Sequence, residues 1–470
     1  MTILQELAAL IGPENVLTGD DTAPFRRDWT GKYTSRPLAV VRPASTGEVA
    51  GVVRLAGAAG VPVVPVSGNT GLVGGTANDG ALMLSLARMN RIRDINPASR
   101  TATAEAGVVL DTLNEAAETQ DLIFPLAFGA RGSATVGGVL STNAGGSNAL
   151  RYGTARALCL GIEAVLPSGA VMNLMSALHK DNTGYDLRNL MIGAEGTLGI
   201  ITAAVVKLAP RPRARATALV GLETLDAALD LLNRLQAETG GAVEAFEYMP
   251  AAYMRRLARH RPDLHQPFAT PHPVNVLVEV AATTPRDATP RPDGALPVVA
   301  LLENALAAML EAGTLRDARV AQSETQRAHL WTMREAAAEI TFTGQPVVDS
   351  DVALPLDRVG AFLARCETRL HPLDPKAEIL TIGHLGDGNL HHAVYPTENT
   401  PEHLESIREA VEDVVAELGG SFSAEHGIGL SKKGTMARRK DRAALDAMRA
   451  IKQALDPAGI MNPGKLLPED

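Results

Sequence analysis

The 470-residue chain is poor in several features that mark specialised classes of protein. Its two cysteines, Cys159 and Cys366, are too few for a disulfide scaffold or for a four-cysteine iron–sulfur cluster. Aromatic residues make up 3% of the chain and the net charge is -9, which argues against a surface that binds nucleic acid. Neither a signal peptide nor an apolar run long enough to span a membrane is apparent. We therefore expect a globular, cytoplasmic protein with no membrane span that binds no nucleic acid.

Glycine, in contrast, is abundant between residues 60 and 199. The first cluster, VSGNTGLVGG (66–75), follows a predicted strand, and further clusters lie at 132–138, 141–146 and 193–201. Glycines let backbone amides approach phosphate oxygens closely. The first cluster has neither the GxGxxG nor the GxxxxGK[ST] spacing, so it is not a nicotinamide fingerprint or a P-loop. Several separated loops of small residues favour an extended, phosphate-containing cofactor over a simple sharp turn.

A second informative segment is IGHLGDGNLHH, residues 382–392. The Asp-Gly pair at 387–388, between short apolar runs, is typical of a two-residue hairpin turn. With that turn, His384 would directly face His391, and His392 would point to the opposite face of the hairpin. Two imidazoles placed in this way either share a metal ion or simply stack in a sheet, and the spacing alone leaves both interpretations open.

A third ligand for such a metal is available in SAEHGIG, residues 423–429. Glu425 supplies a carboxylate and His426 another imidazole. Two histidines and one carboxylate match the pattern of a catalytic metal centre that keeps one coordination position open.

These stretches resemble the vanillyl-alcohol oxidase and p-cresol methylhydroxylase superfamily, in particular its branch of D-lactate, glycolate and D-2-hydroxyglutarate dehydrogenases. The resemblance is carried by VSGNTGLVGG (66–75), ATVGGVLSTNAGG (134–146), LRYG (150–153), DNTGYDLRNLMIGAEGTLGIIT (181–202), SAEHGIG (423–429) and DPAGIMNPGK (456–465). It implies an α+β protein with a two-lobed p-cresol methylhydroxylase-type FAD-binding domain at residues 1–210. An antiparallel-sheet substrate (cap) domain would follow at 211–420, and a C-terminal helical segment at 421–470 would return to the FAD domain.

The resemblance also implies which residues hold FAD. Residues 68–73 would cradle the pyrophosphate, and the later clusters would line the rest of the cofactor. The expected set is Val66, Ser67, Gly68, Asn69, Thr70, Gly71, Leu72, Pro125, Gly132, Ser133, Thr135, Gly137, Gly138, Ser141, Asn143, Gly145, Gly146, Glu195, Gly199, Ile200 and Asn462. Because the first loop contains no histidine or cysteine, we expect FAD to be bound without a covalent link.

By the same resemblance, His384, His391 and Glu425 would bind a divalent metal, with Zn²⁺ expected first and Mn²⁺ or Co²⁺ tolerated by the same ligands. His426 would remove the proton of the substrate's 2-hydroxyl group as general base, while hydride passes from C2 to the flavin. The alternative for His426 is to support a metal ligand. Arg334 would bind the substrate carboxylate, and the substrate would also contact His384, His391 and His426.

Arg334 has a simpler alternative, because a helical arginine commonly lies on the surface. It would then pair with its neighbours Glu335 or Glu339.

Three positions depart from the D-2-hydroxyglutarate dehydrogenase pattern. Ala338 replaces a threonine, Asp349 a lysine and Ala393 an asparagine. Because an aspartate repels a second carboxylate, the sequence slightly favours a monocarboxylate such as D-lactate over D-2-hydroxyglutarate. The alternative functions are an oxygen-using flavin oxidase of other alcohols and a non-catalytic flavin electron-transfer subunit. We expect an electron-transfer flavoprotein, a quinone or a cytochrome as electron acceptor, and a homodimer.

Overall fold

The computed structural model describes residues 1–344 and 346–469. The chain forms two compact units, each with its own core. The first unit contains Met1–Gly145, Tyr152–Pro210 and the segment that begins at Glu425, and the second contains Gly146–Arg151 and Arg211–Ala424. No helix in the described ranges is both long and apolar enough to cross a bilayer.

The first unit is built from short helices and three small sheets. Its helices before residue 210 are α1 (Ile3–Ile11), α2 (Thr46–Ala59), α3 (Leu110–Glu118), α4 (Val136–Thr142), α5 (Ala149–Tyr152, across the boundary), α6 (Ala155–Leu158) and α7 (Leu187–Met191), with 3₁₀ helices at Pro13–Asn15 and Gly19–Phe25. Its strands are β1 (Val16–Leu17), β2 (Ala39–Val41), β3 (Val63–Val66), β4 (Leu82–Ser85), β5 (Ile92–Asn96), β6 (Thr101–Glu105), β7 (Leu122–Ile123), β8 (Cys159–Val165), β9 (Val171–Leu174), β10 (Ile200–Lys207) and β11 (Ala209–Pro210).

In the described part of this unit, one sheet has the order β1-β2-β4-β3 and another the order β5-β6-β10-β8-β9, while β7 pairs with β11. Strand β3 is parallel to β4, and its residues are largely buried, as its apolar sequence predicts. The first glycine cluster therefore starts at the carboxyl end of a buried parallel strand. This is the edge at which open α/β sheets usually bind ligands.

The second unit is a large sheet covered by helices on both faces. Its helices are α8 (Leu225–Thr239), α9 (Ala251–His260), α10 (Pro285–Ala288), α11 (Pro297–Glu311), α12 (Glu324–Glu335), α13 (Ala337–Thr341), α14 (Val359–Leu370) and α15 (Pro401–Glu417), with a 3₁₀ helix at Leu356–Arg358. Its strands are β12 (Ala214–Leu222), β13 (Val243–Pro250), β14 (Val274–Ala282), β15 (Asp317–Val320), β16 (Val348–Ala353), β17 (Glu378–His384) and β18 (Asn389–Tyr395). Helices α16 (Lys433–Arg439) and α17 (Arg442–Leu455) then belong to the first unit.

The sheet of the second unit is antiparallel, with the order β15-β12-β14-β13-β17-β18-β16 among the described strands. Helices α8, α11, α14 and α15 supply apolar side chains to the core on one face. Helices α9, α12 and α13 cover the other face, which includes Leu380, Ile382 and Ala393. Because side chains alternate along a strand, residues 382, 384, 389 and 391 share this second face.

The hairpin β17–β18 forms, but its predicted register is wrong by two residues. His384 pairs with Asn389, and His391 pairs with Ile382. The turn contains four residues, 385–388, because the amides of Asp387 and Gly388 both donate to the carbonyl oxygen of His384, at 3.2 and 3.1 Å. The closure lies one residue earlier on β17, and one residue later in pairing, than a two-residue Asp-Gly turn would give.

Candidate flavin and substrate sites

The first two glycine clusters lie against each other within the first unit. The hydroxyl oxygens of Ser67 and Thr135 are 2.5 Å apart. A Cβ atom at Gly68 would lie 2.2 Å from the carbonyl oxygen of Ser133, so only glycine allows this approach. Thr135 also caps α4, since its hydroxyl accepts a hydrogen bond from the amide of Gly138. Residues far apart in sequence are thus brought together as the sequence predicts.

The third cluster and the C-terminal segment join this arrangement through Glu195 and Asn462. The amide of Glu195 donates to the carbonyl oxygen of Ser141 at 2.9 Å. The side-chain amide of Asn462 donates to the carbonyl oxygens of Glu195, at 2.8 Å, and Gly75, at 3.0 Å. Glu195 and Asn462 both have positive φ, 52° and 40°, which is uncommon outside glycine. Asn462 therefore ties the first cluster to the third.

The carboxylate of Glu195 holds the turn that follows His426. Its two oxygens accept hydrogen bonds from the amides of Ile428, at 2.7 Å, and Gly429, at 2.8 Å. Burial raises the pKa of Glu195, and the two amide donors oppose that effect. This contact was not anticipated from the sequence, which suggested only that Glu195 borders the cofactor. That border remains a prediction.

Glu425 also lies against a flavin cluster within the first unit. A Cβ atom at Gly145 would lie 2.7 Å from Oε1 of Glu425, so glycine leaves room for this carboxylate. Glu425 and His426 are both partly buried. The predicted metal ligand and the predicted base thus begin the segment that returns to the first unit.

Several of the predicted flavin residues fit a group that is approached by backbone and amide atoms. Oδ1 of Asn462 is buried and has no hydrogen-bond partner among the described residues. No atom of the described chain lies within 4 Å of a Cβ placed on Gly71. In contrast, the side chains of Val66 and Ile200 are buried in the core, 2% and 1% exposed, so any contact from them with a cofactor would come from their backbone.

The remaining predicted flavin residues are placed as follows. Pro125 is buried just after β7, and Gly199 packs with φ of 159° against Val165 and Met191. Asn143, in the left-handed conformation, ends α4 and accepts hydrogen bonds from Thr154 and Arg156. Gly146 counts with the second unit.

A polar cluster that the sequence analysis missed lies on the second face of the large sheet. Its centre is Glu247 on β13, which is 1% exposed. The carboxylate of Glu247 lies 2.8 Å from Nδ1 of His384, and its Oε2 lies 2.8 Å from both Nε and Nη2 of Arg334. Burial raises the pKa of Glu247, but the charges of His384 and Arg334 outweigh burial and hold it below its usual range. A glutamate within the apolar run Val243–Pro250 was the available signal.

This arrangement fixes the chemistry of His384. Because an ionised carboxylate only accepts hydrogen bonds, Nδ1 carries the proton and the lone pair is left on Nε2. The rings of His384 and His391 are 5.7 Å apart, edge to face, in the second unit. The two histidines therefore converge as predicted, although they are diagonal neighbours and not directly opposed.

His391 has a second carboxylate beside it. Its Nδ1 lies 3.9 Å from Oδ1 of Asp351, which is 2% exposed. Asp351 also accepts hydrogen bonds from the side chain of Asn389, at 2.9 Å, and from the amide of Ala424, at 3.2 Å. His392 points to the opposite face, as predicted, where its ring contacts Phe362.

Arg334 is a buried residue, only 8% exposed, so its interpretation as a surface arginine paired with Glu335 or Glu339 is wrong. Helix α12 directs Arg327, Trp331 and Arg334, at i, i+4 and i+7, onto the sheet. The first two donate to Glu279 and the third to Glu247. Both Arg334 nitrogens that contact Glu247 approach one oxygen atom, which leaves the other N–H groups of the guanidinium without a partner among the described residues.

The three departures from the D-2-hydroxyglutarate dehydrogenase pattern lie on this unit. Asp349 is exposed on β16 and pairs directly with Ala393, which is 1% exposed, on β18. Ala338 is exposed on α13. Two of the three departures are thus neighbours across two strands.

Comparison with known proteins agrees with these two sites. Residues 211–466 match the model of the C-terminal domain of FAD-linked oxidases, and residues 37–175 match an FAD-binding domain. D-2-hydroxyglutarate dehydrogenase from Xanthomonas citri is 37% identical over 95% of this chain and 92% of its own length. The mitochondrial D-2-hydroxyglutarate dehydrogenase of Bos taurus is 36% identical over 98% of this chain and 83% of its own length.

A yeast relative has a related name with a different electron acceptor. The D-2-hydroxyglutarate–pyruvate transhydrogenase of Saccharomyces cerevisiae is 32% identical over 95% of this chain and 90% of its own length.

Solved structures confirm the predicted fold. p-Cresol methylhydroxylase with bound substrate superposes with a TM-score of 0.75 at 17% identity, covering 99% of this chain and 96% of that one. Alkyldihydroxyacetonephosphate synthase gives a TM-score of 0.73 at 18% identity, covering 99% and 86%. The chain therefore belongs to the family of FAD-linked oxidases that includes the D-2-hydroxyglutarate dehydrogenases, and it is an FAD-dependent oxidoreductase.

Proposed function

We propose that this protein oxidises a D-2-hydroxy acid to the corresponding 2-oxo acid, with non-covalent FAD and a divalent metal. The observation that carries the proposal is the double contact of Glu247 with His384 and Arg334. One buried carboxylate orients both a histidine with a free Nε2 and a cation suited to a substrate carboxylate. Such carboxylate–histidine pairs are typical of metal sites.

His384, His391 and Glu425 are the proposed metal ligands. The proposal for Glu425 is supported by chain connectivity, since the preceding residue, Ala424, donates to Asp351 beside His391. When bound, the metal would supply Lewis-acid stabilisation of charge on the substrate's hydroxyl oxygen. Zn²⁺ is our first expectation, with Mn²⁺ or Co²⁺ as alternatives.

His426 is the proposed general base. It takes the proton of the 2-hydroxyl group, because imidazole is the side chain best matched to proton transfer near neutral pH. FAD, when bound, accepts the hydride from C2. Arg334 holds the substrate carboxylate through the N–H groups that Glu247 leaves unoccupied, which fixes the orientation of C2.

Two acids are the candidate substrates. The names of the curated relatives support D-2-hydroxyglutarate. Asp349, exposed beside Ala393 where the related enzymes are expected to carry polar or cationic side chains, supports a monocarboxylate such as D-lactate. The electron acceptor and a homodimeric state stay predictions.

The test is anaerobic mixing of the purified protein with D- and L-2-hydroxy acids while the visible absorbance of the flavin is followed. We expect bleaching with the D enantiomers only, and the ratio of kcat/KM for D-lactate and D-2-hydroxyglutarate decides between the two acids. Equal bleaching by L enantiomers would contradict the stereochemistry. No bleaching by any 2-hydroxy acid would contradict the reaction itself.

A further inference from the structure

Lys465, in the C-terminal segment of the first unit, is a buried cation without a matching anion. The residue is 5% exposed. Within the described chain its ammonium group donates to one acceptor, the carbonyl oxygen of Pro463 at 3.3 Å, and forms no ion pair with a carboxylate. Burial, together with the charge of Lys433, lowers the pKa of Lys465 to about 8. Buried charges in proteins are normally paired, because desolvation of a lone ion is expensive.

Lys452 in the same segment shows what a satisfied lysine looks like here. Its ammonium group contacts the carboxylate of Asp456 at 2.5 Å and the carbonyl oxygens of Thr197 and Met461, both at 2.8 Å. The carboxylate of Glu469, another candidate partner for Lys465, lies 3.1 Å from Lys433. The positive charge of Lys465 is therefore not balanced by the carboxylates of the described residues.

Backbone hydrogen bonds place Lys465 beside the first glycine cluster. The amide of Leu466 donates to the carbonyl oxygen of Gly429 at 3.1 Å, and the amide of Leu430 donates to that of Val73 at 2.8 Å. The side chain of Asn462 donates to the carbonyl oxygen of Gly75. Residues 462–466 thus lie against the end of the loop that we expect to cradle the pyrophosphate.

We propose that Lys465 is a binding residue for the pyrophosphate of FAD, with its ammonium group donating to a phosphate oxygen. The pyrophosphate carries the negative charge that this buried cation lacks, and the nearby loop supplies amide donors but no charge. The proposal rests on FAD binding by the family and not on which hydroxy acid is oxidised. It adds a cation to a site for which the sequence analysis named only backbone and uncharged or acidic side chains.

The test compares Lys465→Met, Lys465→Arg and Lys440→Met, the last removing an exposed lysine of the same unit. Release of FAD is measured by diluting each holoenzyme and recording the fluorescence of free flavin. We expect Lys465→Met to weaken FAD binding by roughly tenfold or more, the size of a charged hydrogen bond. Lys465→Arg should retain most of the affinity, and Lys440→Met should be unchanged.

A second measurement separates the pyrophosphate from the flavin ring. Riboflavin, which has no phosphate, should bind equally to the unmodified protein and to Lys465→Met. Unchanged FAD affinity in Lys465→Met, or an equal loss of riboflavin affinity, would overturn the proposal. Should Lys465→Met fail to fold, Lys465→Gln removes the charge while keeping a polar head group, and the same comparison applies. Failure of either measurement leaves the proposed oxidation of a D-2-hydroxy acid unaffected.

Discussion

The carboxylate of Glu247 lies 2.8 Å from Nδ1 of His384, at a point of the large sheet where the surrounding strands are apolar. A neutral amide in its place would no longer enforce the proton on Nδ1. We expect Glu247→Gln to weaken metal binding by roughly 10- to 100-fold, the usual effect of losing such a partner. The measurement is metal content after dialysis, together with kcat and KM for the D-2-hydroxy acid.

The matched control for Glu247→Gln is Glu339→Gln, an exposed glutamate that pairs with Arg261 at 3.2 Å. It should leave metal content and turnover unchanged. Full metal content in Glu247→Gln, with unchanged KM, would show that Glu247 has only a structural role.

Removal of the metal gives a second prediction. Dialysis against a chelator should abolish turnover while the bound flavin keeps its visible absorbance, because the proposed metal ligands and the glycine clusters are different residues. Zn²⁺, Mn²⁺ or Co²⁺ should restore activity to different extents. Full turnover by protein shown to be metal-free by elemental analysis would refute the metal requirement.

Asp349 is the predicted determinant between monocarboxylate and dicarboxylate substrates. Asp349→Lys replaces a repelling charge with an attracting one, so kcat/KM for D-2-hydroxyglutarate should rise relative to D-lactate by roughly tenfold, about 1.4 kcal/mol. The control is Asp230→Lys, the same change of charge at an exposed site on α8, which packs on the other face of the sheet. An unchanged ratio in Asp349→Lys would remove Asp349 from the specificity argument.

Glu195 is expected to position the turn that carries His426. Glu195→Ala removes both acceptors for the amides of Ile428 and Gly429, which leaves two partly buried donors without partners. The free energy of unfolding should fall by about 2 kcal/mol or more, and kcat should fall more than KM rises. Glu195→Gln, which keeps one acceptor, should lie between the two. Equal kcat in all three proteins would contradict the positioning role.

Gly429 tests the same turn through the backbone. An alanine there would place Cβ 2.3 Å from the carbonyl oxygen of Val73, with φ at 49°. Gly419 has a similar φ of 70° but no atom within 4 Å of a Cβ. Gly419→Ala should therefore cost about 1 kcal/mol of stability, whereas Gly429→Ala should cost several-fold more and reduce turnover. Thermal unfolding and kcat measure the difference, and equal costs would contradict the crowding.

The features that sequence could predict are those written in local patterns. Ser45 caps α2, which ends at Ala59, because serine in that position satisfies a free amide. The convergence of His384 and His391 follows from the period of two along a strand. The apolar alternation of the second unit likewise indicated an antiparallel sheet.

The features that sequence missed depend on contacts between distant segments. Glu247 is 137 residues from His384 in the chain, and nothing local indicates that its carboxylate is buried between a histidine and an arginine. The grip of Glu195 on Gly429 spans 234 residues. The hairpin register failed because the fold closes the turn on His384 itself, an outcome of four-residue geometry that an Asp-Gly pair does not specify.

That register error was harmless for a reason that concerns turn length. The predicted turn has two residues and the observed turn has four, and a change by an even number returns each side chain to its original face. A single-residue insertion in 385–388 would instead offer His392 where His391 now stands and bury the wrong imidazole. Homologous hairpins that keep this chemistry should therefore vary in turn length by even steps, so loop parity would be inherited even where loop sequence is not.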